Sequence, residues 1–133
     1  TGQGVTRNFE TAVKWFRTSA ERGYAAAQNL LAAMYSRGLG VPQNHRLAVE
    51  WYRAAARQGD GTAQYNLGAK YANGEGVSRD YPRAHMWWSI AASHGNKSAP
   101  YSRENIENEM TPAEIKIARK LALECEARKY QDC

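Results

Sequence analysis

The residues that could do chemistry in this chain are few. Cys125 and Cys133 close the sequence, and His45, His85 and His94 are scattered along it. No second cysteine pair sits at metal-ligand spacing and the histidines fall on separate segments or on opposite ends of one, so neither a zinc site nor any other metal or cofactor site is expected. A nucleophile needs a base within reach, and Cys125 has no histidine near it in sequence. Ser-x-x-Lys, Gly-x-Ser-x-Gly and His-Glu-x-x-His are all missing from the sequence, which leaves a hydrolase as a remote reading. Gly38-x-Gly40 and Gly74-x-Gly76 lack the third glycine of a dinucleotide loop and the Lys-Ser/Thr of a phosphate loop. Turn geometry is the expected use of these glycines.

Cys125 falls on an apolar helical stripe, where a reduced core cysteine would be ordinary, while Cys133 lies beyond the expected helix end near Lys129. A disulfide folding the tail back onto that helix is within reach, and we expect it to form. An oxidising compartment follows from it.

The elements that position these residues are set by a period of 36. Trp15, Trp51 and Trp87 share that interval, as do Gly2/Gly38/Gly74, Gly4/Gly40/Gly76 and Val5/Val41/Val77. Ala12/Ala48/Ala84, Ala20/Ala56/Ala92, Gly23/Gly59/Gly95 and Ala27/Ala63/Ala99 complete eight columns of threefold identity. A fixed period of this size marks an all-α, α/α superhelical solenoid of antiparallel helix pairs, each too small to bury its own apolar face without a neighbour. In the copy spanning 24–59, Ala27, Leu30, Leu31, Met34 and Tyr35 line one helix face; Leu47, Ala48, Trp51, Tyr52, Ala55 and Ala56 line a second. Gly38 closes the first helix, and Asn44 caps the second, as Asn8 and Asp80 should elsewhere. Trp15, Trp51, Trp87 and Trp88 are expected in the core, filling space between stacked units.

The units read as a half repeat at 1–23 (second helix only), repeats at 24–59 and 60–95, and a degenerate terminal repeat with a capping helix at 96–133. The equivalence of Thr1-Gly2 with Arg37-Gly38 implies that upstream repeats precede this segment and would cover Trp15 and Phe16. Thr111-Pro112-Ala113-Glu114 carries a capping box, and Ile115, Ala118, Leu121, Ala122 and Cys125 line the closing helix behind it.

Residues 1–97 carry 12 Lys and Arg against 6 Asp and Glu, residues 98–133 carry 6 against 7. The excess is spread along the repeats on positions such as Arg17, Arg53 and Arg57, read as solvated, without the stacking aromatics that a nucleic-acid surface interleaves. No stretch approaches the roughly 20 apolar residues of a membrane helix.

Ala63-Gln64-Tyr65-Asn66-Leu67-Gly68, Tyr71, Gly74-x-Gly76-Val77, Ala84, Trp87-Trp88, Ala91-Ala92 and Gly95 resemble the Sel1-like repeat signature, a relative of the tetratricopeptide repeat. The tail from Met110-Thr111-Pro112 to Tyr130-x-x-Cys133 is similar to the closing segment of many bacterial members. This resemblance implies a scaffold or adaptor whose partner is another protein or peptide, often periplasmic or secreted. It also implies that first-helix positions face a concave surface: Asn29, Ala33 and Arg37, then Tyr65, Ala69 and Asn73, then Tyr101 and Asn105. Amides and tyrosines in that pattern suit an extended peptide. A cell-wall polymer or other glycan is the alternative ligand.

Overall fold

The computed structural model describes the backbone from Gly2 to Cys133 and the side chains from Asn8 onward. Seven helices follow in order: α1 (Gly2–Glu21), α2 (Ala25–Arg37), α3 (His45–Ala56), α4 (Gly61–Asn73), α5 (Tyr81–Ser93), α6 (Ala99–Glu107) and α7 (Pro112–Ala127). Two helices arise per 36 residues because each apolar stripe is cut by glycine at a fixed place. Gly38 and Gly74 end α2 and α4 in the left-handed conformation, at φ 68° in both, where a Cβ would be strained. Asn44 then accepts from the Leu47 N–H and Asp80 from the Arg83 N–H, starting α3 and α5.

The second glycine of each connector has a separate cause. A Cβ on Gly40 would lie 2.4 Å from the Phe9 carbonyl oxygen, and one on Gly76 would lie 2.4 Å from that of His45. Each connector therefore lies directly on the backbone of the previous unit's second helix, and glycine alone permits the approach. Buried glutamines complete the interlock: Gln28 donates to the Ala20 carbonyl and Gln64 to the Ala56 carbonyl, both at 3.1 Å. Each adds a second hydrogen bond to a helix-end carbonyl that already accepts from the N–H of Gly23 or Gly59.

The main core joins Ala48, Tyr52, Ala55 and Ala56 of α3 to Leu67 and Tyr71 of α4 and to Trp87, Trp88, Ile90 and Ala91 of α5. Trp87 is 1% exposed. A smaller cluster of Val13, Ala20, Ala27 and Leu31 lies between α1 and α2, and Trp51 packs against both. Trp15 is the exception. It is 72% exposed, not core: among the described residues no helix occupies, beside α1, the place that α2 occupies beside α3. Asn8, expected at an N-cap, lies inside α1, whereas the Asn44 and Asp80 N–H groups donate to the Tyr35 and Tyr71 carbonyls and hold the later connectors in place. Leu30, expected on the buried face of α2, is 45% exposed, with Leu31 taking the fully buried position beside it.

Thr111 and Glu114 form the capping box, and Pro112 opens α7. That helix packs on α5 and buries Ala118, Ala122 and Cys125. Cys125 and Cys133 are joined by a disulfide, with Cα atoms 5.5 Å apart.

Candidate functional site

The expected partner-binding positions fall in three columns of the repeat: 29, 65 and 101; 33, 69 and 105; 37 and 73. All lie on the first helices α2, α4 and α6. These helices sit side by side. Asn66 donates to Asn29 Oδ1 at 3.1 Å between α4 and α2, and Tyr65 OH meets Ser102 Oγ at 3.3 Å between α4 and α6. Asn29 and Tyr65 are thus partly spent on linking neighbouring units. Tyr65 is braced further: the Trp88 indole donates to its carbonyl at 3.0 Å and the two rings lie 6.2 Å apart. Trp88 reaches that position because residue 68 is glycine, where a Cβ would come within 2.6 Å of the indole nitrogen.

The remaining positions are freer. Arg37, Asn73, Tyr101 and Asn105 are exposed, Tyr101 at 72%, while Ala33 and Ala69 are half-buried. A groove of about 340 Å³ is bounded by Asn73 and Ala72 of α4, Tyr81 and Trp88 of α5, and Ser102, Asn105 and Ile106 of α6. The structure thus brings Asn73 and Asn105 to one groove with Trp88 as part of its wall. Asn29, Ala33, Arg37, Tyr65, Ala69 and Tyr101 do not border it.

Two networks were not foreseen from sequence. Lys70 of α4 is 6% exposed and donates to Ser36 Oγ of α2 at 2.6 Å, with His45 Nδ1 at 2.9 Å and Glu75 Oε1 at 3.7 Å. Burial pushes its ammonium below the ordinary lysine value, and Glu75 partly opposes that. Ser36 and Lys70 are a serine and a lysine in contact, yet the lysine's three N–H donors have three acceptors around them, as in a structural clamp between α2, α3 and α4. The available signal was its column: Met34 and Ile106 are apolar where Lys70 is charged. The second network corrects the solvated reading of Arg17 and Arg53. Arg17 donates to Tyr35 OH at 2.7 Å and Arg53 to Tyr71 OH at 3.0 Å, both half-buried. The 36-residue recurrence of both members was the signal. In the last copy those columns hold Ser89 and Glu107, and Glu107 instead meets His85, four residues before Ser89, at 2.7 Å, with the histidine 1% exposed.

The Sel1 repeat family model matches residues 1–24, 25–60 and 61–96. The chain belongs to the Sel1 repeat family. Its repeat boundaries in that match lie one residue beyond those read from the glycine columns. A protective antigen of uropathogenic Escherichia coli strains, described as displaying an SLR fold, is similar at 33% identity and TM-score 0.86. The similarity covers 91% of this chain and 27% of that one, so the chain spans about a quarter of that neighbour's length. A Sel1 repeat protein from Oxalobacter formigenes is similar at 39% identity and TM-score 0.67, over 70% of each chain. No curated protein matches the chain. Sel1 repeat proteins are in general non-catalytic scaffolds for protein interaction. No helix among the described residues is long and apolar enough to cross a membrane, and the Cys125–Cys133 disulfide is consistent with an extracytoplasmic setting.

Proposed function

We propose that this chain is a non-catalytic interaction module that holds an extended segment of a partner protein along the exposed face of α2, α4 and α6, in a periplasmic or secreted setting. The observation that carries this reading is the groove between Asn73 and Asn105, with an indole in its wall and the Tyr101 ring exposed close by in sequence on α6. Amides can pair with a peptide backbone, and the aromatic rings give apolar contact at low entropic cost. The exposed face of Trp15 serves, in this reading, as the seat of a further repeat, since its counterpart Trp51 is covered by the preceding cluster.

A glycan is the second reading, favoured by one observation: Tyr101 offers an open ring on the same helix as the Asn105 amide. Affinity capture from the native cell, wild type against Asn73→Ala/Tyr101→Ala, separates the two. A discrete polypeptide lost in the double variant supports the first reading. Retention of the wild type on insoluble envelope polymer, lost in that variant, supports the second. Equal capture by both proteins refutes the binding face itself.

A further inference from the structure

A second cavity, away from the groove, is built from arginines. It measures about 240 Å³ and lies where Arg53 of α3 and Arg57, just beyond the end of α3, approach Arg83 and Trp87 of α5, with the tail residues Asp132 and Cys133 as a further wall. The donors here are far from satisfied. Arg53 uses one arm on Tyr71 OH. Arg83 uses Nε on the Cys133 carbonyl at 3.0 Å and one arm on Asp80 at 3.3 Å. Arg57 has no side-chain hydrogen bond among the described residues, and no carboxylate lies within 4.0 Å of Arg53 or Arg57. Asp132 borders the cavity but forms no ion pair with these arginines. Trp87, in the same wall, carries a buried indole N–H that has no acceptor.

Three guanidinium groups line the same half-open space, and the planar fork of arginine matches carboxylate and phosphate oxygens. Arg53 is held there by its recurring contact with Tyr71, and Arg83 by Asp80 and the tail. Arg57, by contrast, makes no side-chain hydrogen bond to the repeats. The wall formed by the tail is also fastened with unusual care. Besides the disulfide, Tyr130 OH meets His94 Nε2 at 2.8 Å, Gln131 donates to the Arg57 carbonyl at 3.2 Å, and Lys129, Tyr130 and Asp132 all hold positive φ. Three non-glycine residues in that region cost about 1 kcal/mol or more each.

We propose that this cavity is a binding site for a small oxyanion, a carboxylate or phosphate group, and that the disulfide-bonded tail is a structural part of it. Arg57 and Arg53 supply the charge-assisted hydrogen bonds from one side and Arg83 from the other. A backbone oxygen of Cys133 holds Arg83 Nε beside the cavity.

The test is calorimetric titration of the oxidised protein with inorganic phosphate and with succinate, at constant ionic strength, against chloride. One of the two anions should bind with a dissociation constant of about 1 mM or tighter; which is tighter identifies phosphate or carboxylate as the source. Arg57→Gln, at an exposed position whose side chain makes no hydrogen bond, should weaken that binding about tenfold with an unchanged urea midpoint. Cys125→Ala/Cys133→Ser, checked for helical content by circular dichroism, should weaken it similarly. Failure of both anions to bind above the chloride background, undiminished binding in Arg57→Gln, or undiminished binding in the cysteine variant would each overturn the proposal.

Discussion

Gly76→Ala should be among the most damaging substitutions of a small residue in this chain, and Gly95→Ala separates the reasons. Both glycines have positive φ, 77° and 85°, so alanine at either position carries left-handed strain of about 1–2 kcal/mol. At Gly95 nothing lies within 4 Å of the added methyl, and the cost should stop there. At Gly76 the methyl would meet His45 O at 2.4 Å, His45 C at 2.5 Å and Arg46 N at 2.9 Å. All three are backbone atoms of the first turn of α3, which cannot swing aside as a side-chain end could. Relieving the clash means prying the connector off the neighbouring unit, an overpacking cost of about 1–3 kcal/mol more. Gly76→Ala should therefore lose about 2–5 kcal/mol in total. In urea unfolding, with a slope of about 1–3 kcal/mol per molar, the Gly76 variant should unfold about 1 M below the Gly95 variant. Equal midpoints for the two, at equal slopes, would show that connector and helix do not interlock and that turn strain alone explains the glycine pair.

Further expectations follow from the same contacts. Trp87→Ala should cost about 3–5 kcal/mol because the ring is 1% exposed, whereas Trp15→Ala, at 72% exposure, should leave the urea midpoint within experimental scatter. Loss of the Cys125–Cys133 bridge should cost about 2–3 kcal/mol on the chain-entropy account of so small a loop; peptide mapping of unreduced protein from its native compartment should find the two linked, and two free thiols there would remove the case for an exported protein. Lys70, with its proton affinity lowered by burial, makes the unfolded chain bind more protons than the folded one as pH approaches lysine's ordinary value. Wild-type stability measured against Lys70→Met should therefore improve as pH rises through that range, and a difference independent of pH would show that the ammonium is not held in a desolvated site.

The periodic parts of the structure are legible in the sequence, because a 36-residue column states its own geometry. Gly38 and Gly74 close helices, Asn44 and Asp80 cap them, and Thr111 with Glu114 starts α7 as the sequence pattern indicates. What failed were positions whose environment depends on a neighbour rather than on their own repeat. Trp15 carries the same residue as Trp51 but not the same covering helix. Asn8 has the capping residue type yet lies inside α1. Arg53 reads as a solvated helix position until the Tyr71 hydroxyl appears beside it. In the candidate site, the columns placed Asn73 and Asn105 on one face, yet they could not show that Trp88 would form the groove between them. That depends on Gly68 in the facing helix, a contact between two columns rather than within one.

The central claim is that the exposed first-helix face, around the Asn73–Asn105 groove, is where a partner protein is held. Site-specific photo-crosslinking in the native cell tests it most directly, with the photoreactive residue at position 105 or, as the control, at the exposed position 119 on α7. A discrete polypeptide adduct should form from position 105, not from 119, and should be lost when Asn73→Ala and Tyr101→Ala are added, a change worth about 1–3 kcal/mol of binding. The same adduct from position 119, or an adduct at 105 that survives both substitutions, would contradict the claim.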